Sequence, residues 1–235
     1  MKLIITAGGT TERIDDVRSI TNTSTGRLGN TIGTALLKNY ADKVETLYYL
    51  HGLRAIPPLG ENVIAIPIGG VLELEEKLKE ILETEKIDAV IHSMAVSDYT
   101  VKEVTTTAAF KEGKALDSSK KISSEIEDLV IVMKKTPKVI SEIKKWSPDT
   151  ILIGFKLLSD VARDELIEVG YNLLLKNKCT FVLANDLKEI CDGKHSGYLI
   201  HEDQSYDTMA NREEIAEKIS LRLLETLEKK EEANK

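Results

Sequence analysis

Residues 2–29 read KLIITAGGTTERIDDVRSITNTSTGRLG, and the reading of this stretch decides the fold. The run 2–7 is apolar and rich in β-branched residues, the length of a buried strand, and it stops at the glycine pair Gly8-Gly9. The stretch 26–39 carries Leu28, Ile32, Ala35 and Leu36 at helical spacing. A strand, a glycine-rich connection and a helix in this order open a βαβ unit.

Outward from that opening, strand-like runs at 43–50 and 62–68 are followed by an amphipathic helical pattern at 72–84 and a buried strand at 87–96. The alternation predicts an α/β fold, a Rossmann-like, mostly parallel sheet with helices on both faces, whose ligand crevice lies outside the carboxyl ends of the strands. From 99 to 128 the pattern dissolves into Thr, Lys, Gly and Ser. A compact domain seldom gives that length to an idle loop, so the expectation is a flap or dimerisation arm inserted in one 1–235 domain. Alternation resumes with a strand at 129–133, a helix at 137–146 opened by Pro137, a strand at 150–157, a helix at 160–175 and a strand at 179–184. An edge hairpin is expected from 197–201 and 205–209. The last helix, 211–227, should be capped by Asn211 with Glu214 three positions on, and its charged tail, 228–235, should fray.

Composition bounds the partners. Hydrophobic residues make up 42% of the 235-residue chain and charged residues 30%, an ordinary globular balance that excludes long disorder. The net charge of -7 argues against a broad nucleic-acid surface, so an anionic ligand must meet a local positive site. Two cysteines, Cys179 and Cys191, have neither CxxC nor metal-ligand spacing and imply no framework of bridges, which fits a reducing cytoplasm. No signal-peptide layout or apolar run of membrane-spanning length is present, and the expectation is a soluble, cytoplasmic protein.

Gly8, Gly9 and Thr10 put flexible backbone and a hydroxyl at a strand's carboxyl end, where a phosphate or carboxylate could approach; a plain tight turn explains them equally well. Ser24 and Gly26 immediately precede the first helix, so backbone N–H groups there could bind an anion at a positive helix end, or Ser24 could simply cap it. The stretch has neither the GxxxxGK[ST] of a P-loop nor GxGxxG directly at a helix start. The long segment 10–25 therefore counts against the main rival, an NAD(P)-binding Rossmann oxidoreductase. A non-catalytic nucleotide-binding regulator is a third class, which would keep the anion sites without needing Asn22 and Lys121 together.

The conjunction says more than either stretch. Thr6 to Gly29, TAGGTTERIDDVRSITNTSTGRLG, closely resembles the opening motif of phosphopantothenoylcysteine synthetases, the phosphopantothenate–cysteine ligases. Asp88-Ala89-Val90-Ile91, Ala95-Val96-Ser97-Asp98-Tyr99, Lys121-Ile122 and Leu183-Ala184-Asn185-Asp186 resemble that family's later motifs, in family order. The resemblance implies a Rossmann-like homodimer that takes 4'-phosphopantothenate, free cysteine and a nucleoside triphosphate with Mg2+ (or Mn2+), and that works through an acyl-nucleotide. Bacterial members usually take CTP; Gly154-Phe155-Lys156-Leu157 resembles the FKL run of eukaryotic members, which use ATP, so either nucleotide stays open. The flap reads Lys121-Ile122-Ser123-Ser124 where many bacterial members have KIKK.

By position in the motifs, the resemblance assigns Asn22 to stabilising the acyl-nucleotide oxyanion, Arg18 to phosphopantothenate, and Lys121 to a flap cation that closes over the acyl-phosphate. It places Asp98 on Mg2+ or a ribose hydroxyl and Phe155 against the base. It puts Gly8, Gly9, Thr10, Ser24, Gly26, Ala95, the run Pro137, Lys138, Val139, Ile140, and the cations Lys176 and Lys178 near the nucleotide. The ligase motif begins at the N-terminus, so a stand-alone ligase is expected, its product passing to a separate phosphopantothenoylcysteine decarboxylase.

Overall fold

The computed structural model describes residues 1–190 and 195–233; Cys191 lies outside them. In chain order the elements are β1 (Lys2–Ala7), β2 (Thr11–Arg13), β3 (Ser19–Thr21), α1 (Arg27–Asn39), β4 (Thr46–Gly52), β5 (Val63–Ile68), α2 (Val71–Thr84) and β6 (Ala89–His92). They continue with β7 (Tyr99–Thr106), α3 (Thr107–Lys111), β8 (Leu129–Lys135), α4 (Val139–Trp146), β9 (Ile151–Leu158), α5 (Arg163–Asn177), β10 (Phe181–Asp186), β11 (Gly197–Ile200), β12 (Tyr206–Met209) and α6 (Arg212–Ala233).

The main sheet has eight strands in the order β12-β11-β10-β9-β6-β1-β4-β5. The six from β5 to β10 are parallel to their neighbours, and β11 and β12 add an antiparallel edge hairpin. Numbered by appearance, the parallel strands run 3-2-1-4-5-6, the doubly wound order, and the order reverses between β1 and β6. Alternate side chains of β1 serve opposite faces: Ile4 packs with α2, α4 and α5, while Leu3, Ile5 and Ala7 pack with α1 and α6. Both faces are therefore covered by helices, which is why the parallel strands read as continuous apolar runs.

Differences from the sequence expectations are local. β4 begins at Thr46 rather than 43, and α4 begins at Val139, two residues after Pro137. Asn211 and Glu214 form the expected reciprocal cap: the Glu214 N–H donates to Asn211 Oδ1 at 2.8 Å, and Asn211 Nδ2 donates to Glu214 Oε1 at 2.8 Å. The helix they start runs on to Ala233 instead of fraying at 228. The excursion 99–128 is not patternless. It opens with β7, which pairs antiparallel with β8 in a separate two-stranded ribbon carrying the short helix α3. A register shift between Val101 and Glu103 breaks the two-residue alternation of β7 and hides the strand from a periodicity reading. The hairpin of β2 and β3, three residues each, was likewise beyond that reading.

Candidate active site

The carboxyl ends of β1 and β6, where the strand order reverses, open into a cleft of about 880 Å³. Its walls come from residues 22–29 leading into α1, residues 92–98 after β6, residues 137–140 entering α4, and residues 155–157 of β9. Asn22, Ser24, Gly26, Ala95, Asp98, Pro137, Lys138, Val139, Ile140 and Phe155 all line it. Segments far apart in sequence converge there because β6 and β9 end at the same edge of the sheet and α1 and α4 begin at it.

Gly8, Gly9 and Thr10 are buried behind this wall and do not line the cleft. A Cβ on Gly9 would stand 2.4 Å from the Asn22 carbonyl oxygen, so only glycine lets the 22–26 segment lie against β1. The Thr10 N–H donates to the Ala95 carbonyl at 3.1 Å, and Thr10 Oγ1 accepts from the Ser97 N–H at 2.9 Å. The turn therefore joins the two walls. Asn22 completes the joint, its Nδ2 donating to the Ala95 carbonyl at 2.9 Å. Gly26 caps α1 with φ 73°, and a Cβ there would come within 2.5 Å of Ala55 Cβ. Gly26, the N-cap, has no side chain to cap α1 and Ser24 does not do so either; the one side-chain contact is long, the Arg27 N–H donating to Thr25 Oγ1 at 3.4 Å.

Charge is distributed for an anion. Among the described lining residues the cations are Arg27, Lys138, Lys156 and Arg212, and the carboxylate is that of Asp98. α1 and α6 lie on the same face of the sheet and both begin at this edge, adding two positive helix ends beside Arg27 and Arg212. Asp98 forms an ion pair with Lys138 at the exposed mouth. His195 also lines the cleft, its pKa lowered by burial and the nearby Arg212. His92, at the end of β6, lines the cleft while almost wholly buried, its pKa pushed down to about 4 by burial, and its Nδ1 lies 3.0 Å from Thr6 Oγ1. The sequence reading missed Arg27, Lys156, Arg212 and Asn185 as lining residues. Arg27, at the first position of a helix that starts at a strand's carboxyl edge, could have been found by that placement alone.

Four expected residues lie elsewhere. Lys176 and Lys178 are exposed at the carboxyl end of α5, which runs back to the amino edge of the sheet, away from the cleft. Arg18 and Lys121 do not line the cleft either. Arg18 sits in the turn between β2 and β3, where its guanidinium donates to the Asp15 carboxylate and to the Ile122 carbonyl. Lys121 is exposed on the excursion, one residue before that contact.

A doubly wound sheet with a cation-lined crevice at its switch point defines a Rossmann-like protein whose crevice suits an anionic ligand. Comparison with known proteins narrows the class. The chain belongs to the family of DNA/pantothenate metabolism flavoprotein C-terminal domains, whose profile matches residues 1–227. It is similar to the coenzyme A biosynthesis bifunctional protein CoaBC of Methanocaldococcus jannaschii, 32% identical over 222 residues that are 93% of this chain and 49% of that protein. The CoaBC of Thermococcus kodakarensis is 29% identical over 220 residues, again 93% of this chain and 49% of the relative. The chain thus spans about half the length of the curated relatives it matches. The crystal structure of the DNA/pantothenate metabolism flavoprotein from Streptococcus pneumoniae superposes with a TM-score of 0.84 at 37% identity, covering 97% of this chain and 98% of that one.

Proposed function

We propose that this chain is a phosphopantothenate–cysteine ligase of coenzyme A biosynthesis, acting in the cytoplasm, with residues 1–235 forming one ligase domain and 99–128 its flap. The observation that carries the reading is the cleft itself. In a member of this family, among the described residues, Asn22, Phe155, Arg27, Lys138, Lys156 and Arg212 gather with Asp98 at the switch point of the sheet.

A carboxylate and a triphosphate repel each other, and the cleft's cations and the positive ends of α1 and α6 offset that repulsion. One carboxylate oxygen of 4'-phosphopantothenate attacks the α-phosphorus of CTP or ATP and pyrophosphate leaves, giving the acyl-nucleotide. The cysteine amine then attacks the acyl carbon and the nucleoside monophosphate leaves with the former carboxylate oxygen, while the amine proton passes to solvent. Asn22 spends one amide N–H on Ala95, and its second N–H is the donor for the oxyanion. Mg2+ or Mn2+ supplies charge neutralisation on the phosphates, with Asp98 as its protein carboxylate. A single carboxylate fits that mode, because Mg2+ is usually held by one or two carboxylates plus substrate phosphates. Among the described residues no group of three or more His, Cys, Asp or Glu forms an all-protein metal cage. Lys138, now paired with Asp98, would pass to the phosphates.

A homodimer belongs to the same reading. Val130, Ile131, Val132 and Met133 in the ribbon of β7 and β8 are only half-buried, and a two-stranded ribbon is marginal unless another surface covers it. The product would pass to a phosphopantothenoylcysteine decarboxylase. The test incubates the purified chain with 4'-phosphopantothenate and Mg2+, with CTP or ATP, and with or without cysteine. Mass spectrometry should find phosphopantothenoylcysteine only when nucleotide and cysteine are both present. Reduction of NADP+ or NADPH oxidation, with no pyrophosphate, would favour the oxidoreductase instead.

A further inference from the structure

Asp15 sits in the turn between β2 and β3, 107 positions from Ile122 in sequence, yet it binds both sides of that gap. Its Oδ1 accepts from the N–H of Val17 at 2.9 Å and of Arg18 at 2.8 Å, as a local turn requires. Its Oδ2 accepts from Arg18 Nε at 2.9 Å and from the Ile122 N–H at 3.1 Å. Arg18 Nη2 then returns to the Ile122 carbonyl, so both polar groups of the Ile122 backbone end on this one pair. The side chain of Asp15 is 0% exposed and Ile122 is 5% exposed, so the contact between them is shielded from water, while the Arg18 side chain stays 38% exposed. Burial alone would raise the Asp15 pKa. The N–H groups of Val17 and Ile122 and the Arg18 guanidinium outweigh it and hold the carboxyl well below its usual range.

The same hairpin is fixed at its other end. Glu12 of β2 accepts from the N–H of Val71 at the start of α2 at 3.0 Å and from Thr100 Oγ1 of β7 at 2.5 Å. β3 runs directly into Asn22 on the cleft wall. The hairpin is thus a rigid bridge between the cleft and the excursion.

We propose that Asp15 is a positioning residue: by gripping the backbone of Ile122 it fixes where the flap presents Lys121, the preceding residue, relative to Asn22. This rests on the ligase reading, in which Lys121 is the flap cation. It also gives Arg18 a second task, since the guanidinium that closes the grip is the one assigned to the anionic substrate.

The test is a double-mutant cycle on the full chain, assayed with CTP and with ATP, combined with hydrogen exchange over residues 107–128. Asp15→Asn keeps the shape but removes the charge, and should lower kcat at least tenfold while nucleotide KM changes less than about threefold. Exchange over 107–128 should quicken. In a Lys121→Gln background the same Asp15→Asn change should lower kcat no further, because the cation it places is already gone. Ile122→Pro, which removes the gripped N–H and leaves the hairpin untouched, should reproduce the kcat loss if Asp15→Asn folds poorly. Fully additive losses in the cycle, or unchanged kcat and exchange in Asp15→Asn, overturn the proposal. If Lys121→Gln alone turns over like the wild type, it is the flap-cation reading that falls. Quickened exchange in Asp15→Asn then still supports the grip, and unchanged exchange overturns it.

Discussion

Asn22 is held by its neighbours with little freedom, and that confinement is what its proposed chemistry requires. Its carbonyl lies where only a glycine at position 9 leaves room, and its amide is tied to the Ala95 carbonyl. An oxyanion donor pays off when it is already in place at the moment charge develops. Asn22→Ala should therefore fold normally and still release pyrophosphate, while amide formation slows on the order of a hundredfold, by analogy with deletion of one oxyanion-hole donor. Rapid-quench measurement of both products checks it, and equal loss of both would move Asn22 to the first step. Gly9→Ala attacks the same position from behind. A Cβ 2.4 Å from a backbone oxygen must displace the 22–26 segment. The variant should lose about 1–3 kcal/mol in urea unfolding, the usual cost of overpacking, and should ligate poorly even where it is folded. In the sequence the two glycines of the first turn stood open between an anion's approach and a plain tight turn, and the backbone approach that Gly9 serves was not legible. Close approach to a backbone and close approach to a phosphate demand the same residue type, and only the position of Asn22 decides between them.

At the scale of elements, β12 is tied to α6 by a charged cluster. Asp207 accepts from Arg222 Nε at 2.8 Å and from Arg222 Nη2 at 2.9 Å, with His201 Nε2 2.9 Å away. The Arg222 bonds outweigh burial and lower the Asp207 pKa from 3.8 to about 2. The folded-state value is depressed, so the stabilisation is fully present above pH 4 and is lost as pH falls through about 2. It amounts to roughly 2 kcal/mol. The stability gap between wild type and Asp207→Asn, measured by chemical denaturation, should shrink between pH 4 and pH 2; a constant gap would contradict the assignment. The hydrophobic periods of the main sheet and its covering helices carried the parallel strands and both helical layers into the sequence reading. Elements that bury little on any face, such as the three-residue β2 and β3 and the bulged β7, leave no such period. They were read as loop for that reason, although Glu12 ties the hairpin to α2 and Asp15 ties it to the excursion. Lys176 and Lys178 lie away from the cleft for a different cause: motif position carries no information about which end of a strand a neighbouring helix terminus reaches.

Across the whole molecule, a chain of net charge -7 concentrates Arg27, Lys138, Lys156 and Arg212 around one crevice. Arg27→Gln and Arg212→Gln should each weaken triphosphate binding, seen as a several-fold rise in nucleotide KM that grows smaller at high salt. Unchanged KM in both would place the phosphates elsewhere. The half-buried ribbon of β7 and β8 should bring two copies together, and light scattering at micromolar concentration should give twice the 26.1 kDa chain mass. The central claim is that the carboxylate is activated at the α-phosphorus, and isotope transfer tests it most directly. 4'-Phosphopantothenate labelled with 18O in its carboxylate is turned over with cysteine and CTP or ATP, and the phosphorus products are weighed by mass spectrometry. Attack at the α-phosphorus should leave one 18O in the nucleoside monophosphate and none in pyrophosphate. Label in inorganic phosphate accompanied by nucleoside diphosphate, or no transfer during turnover, would contradict it.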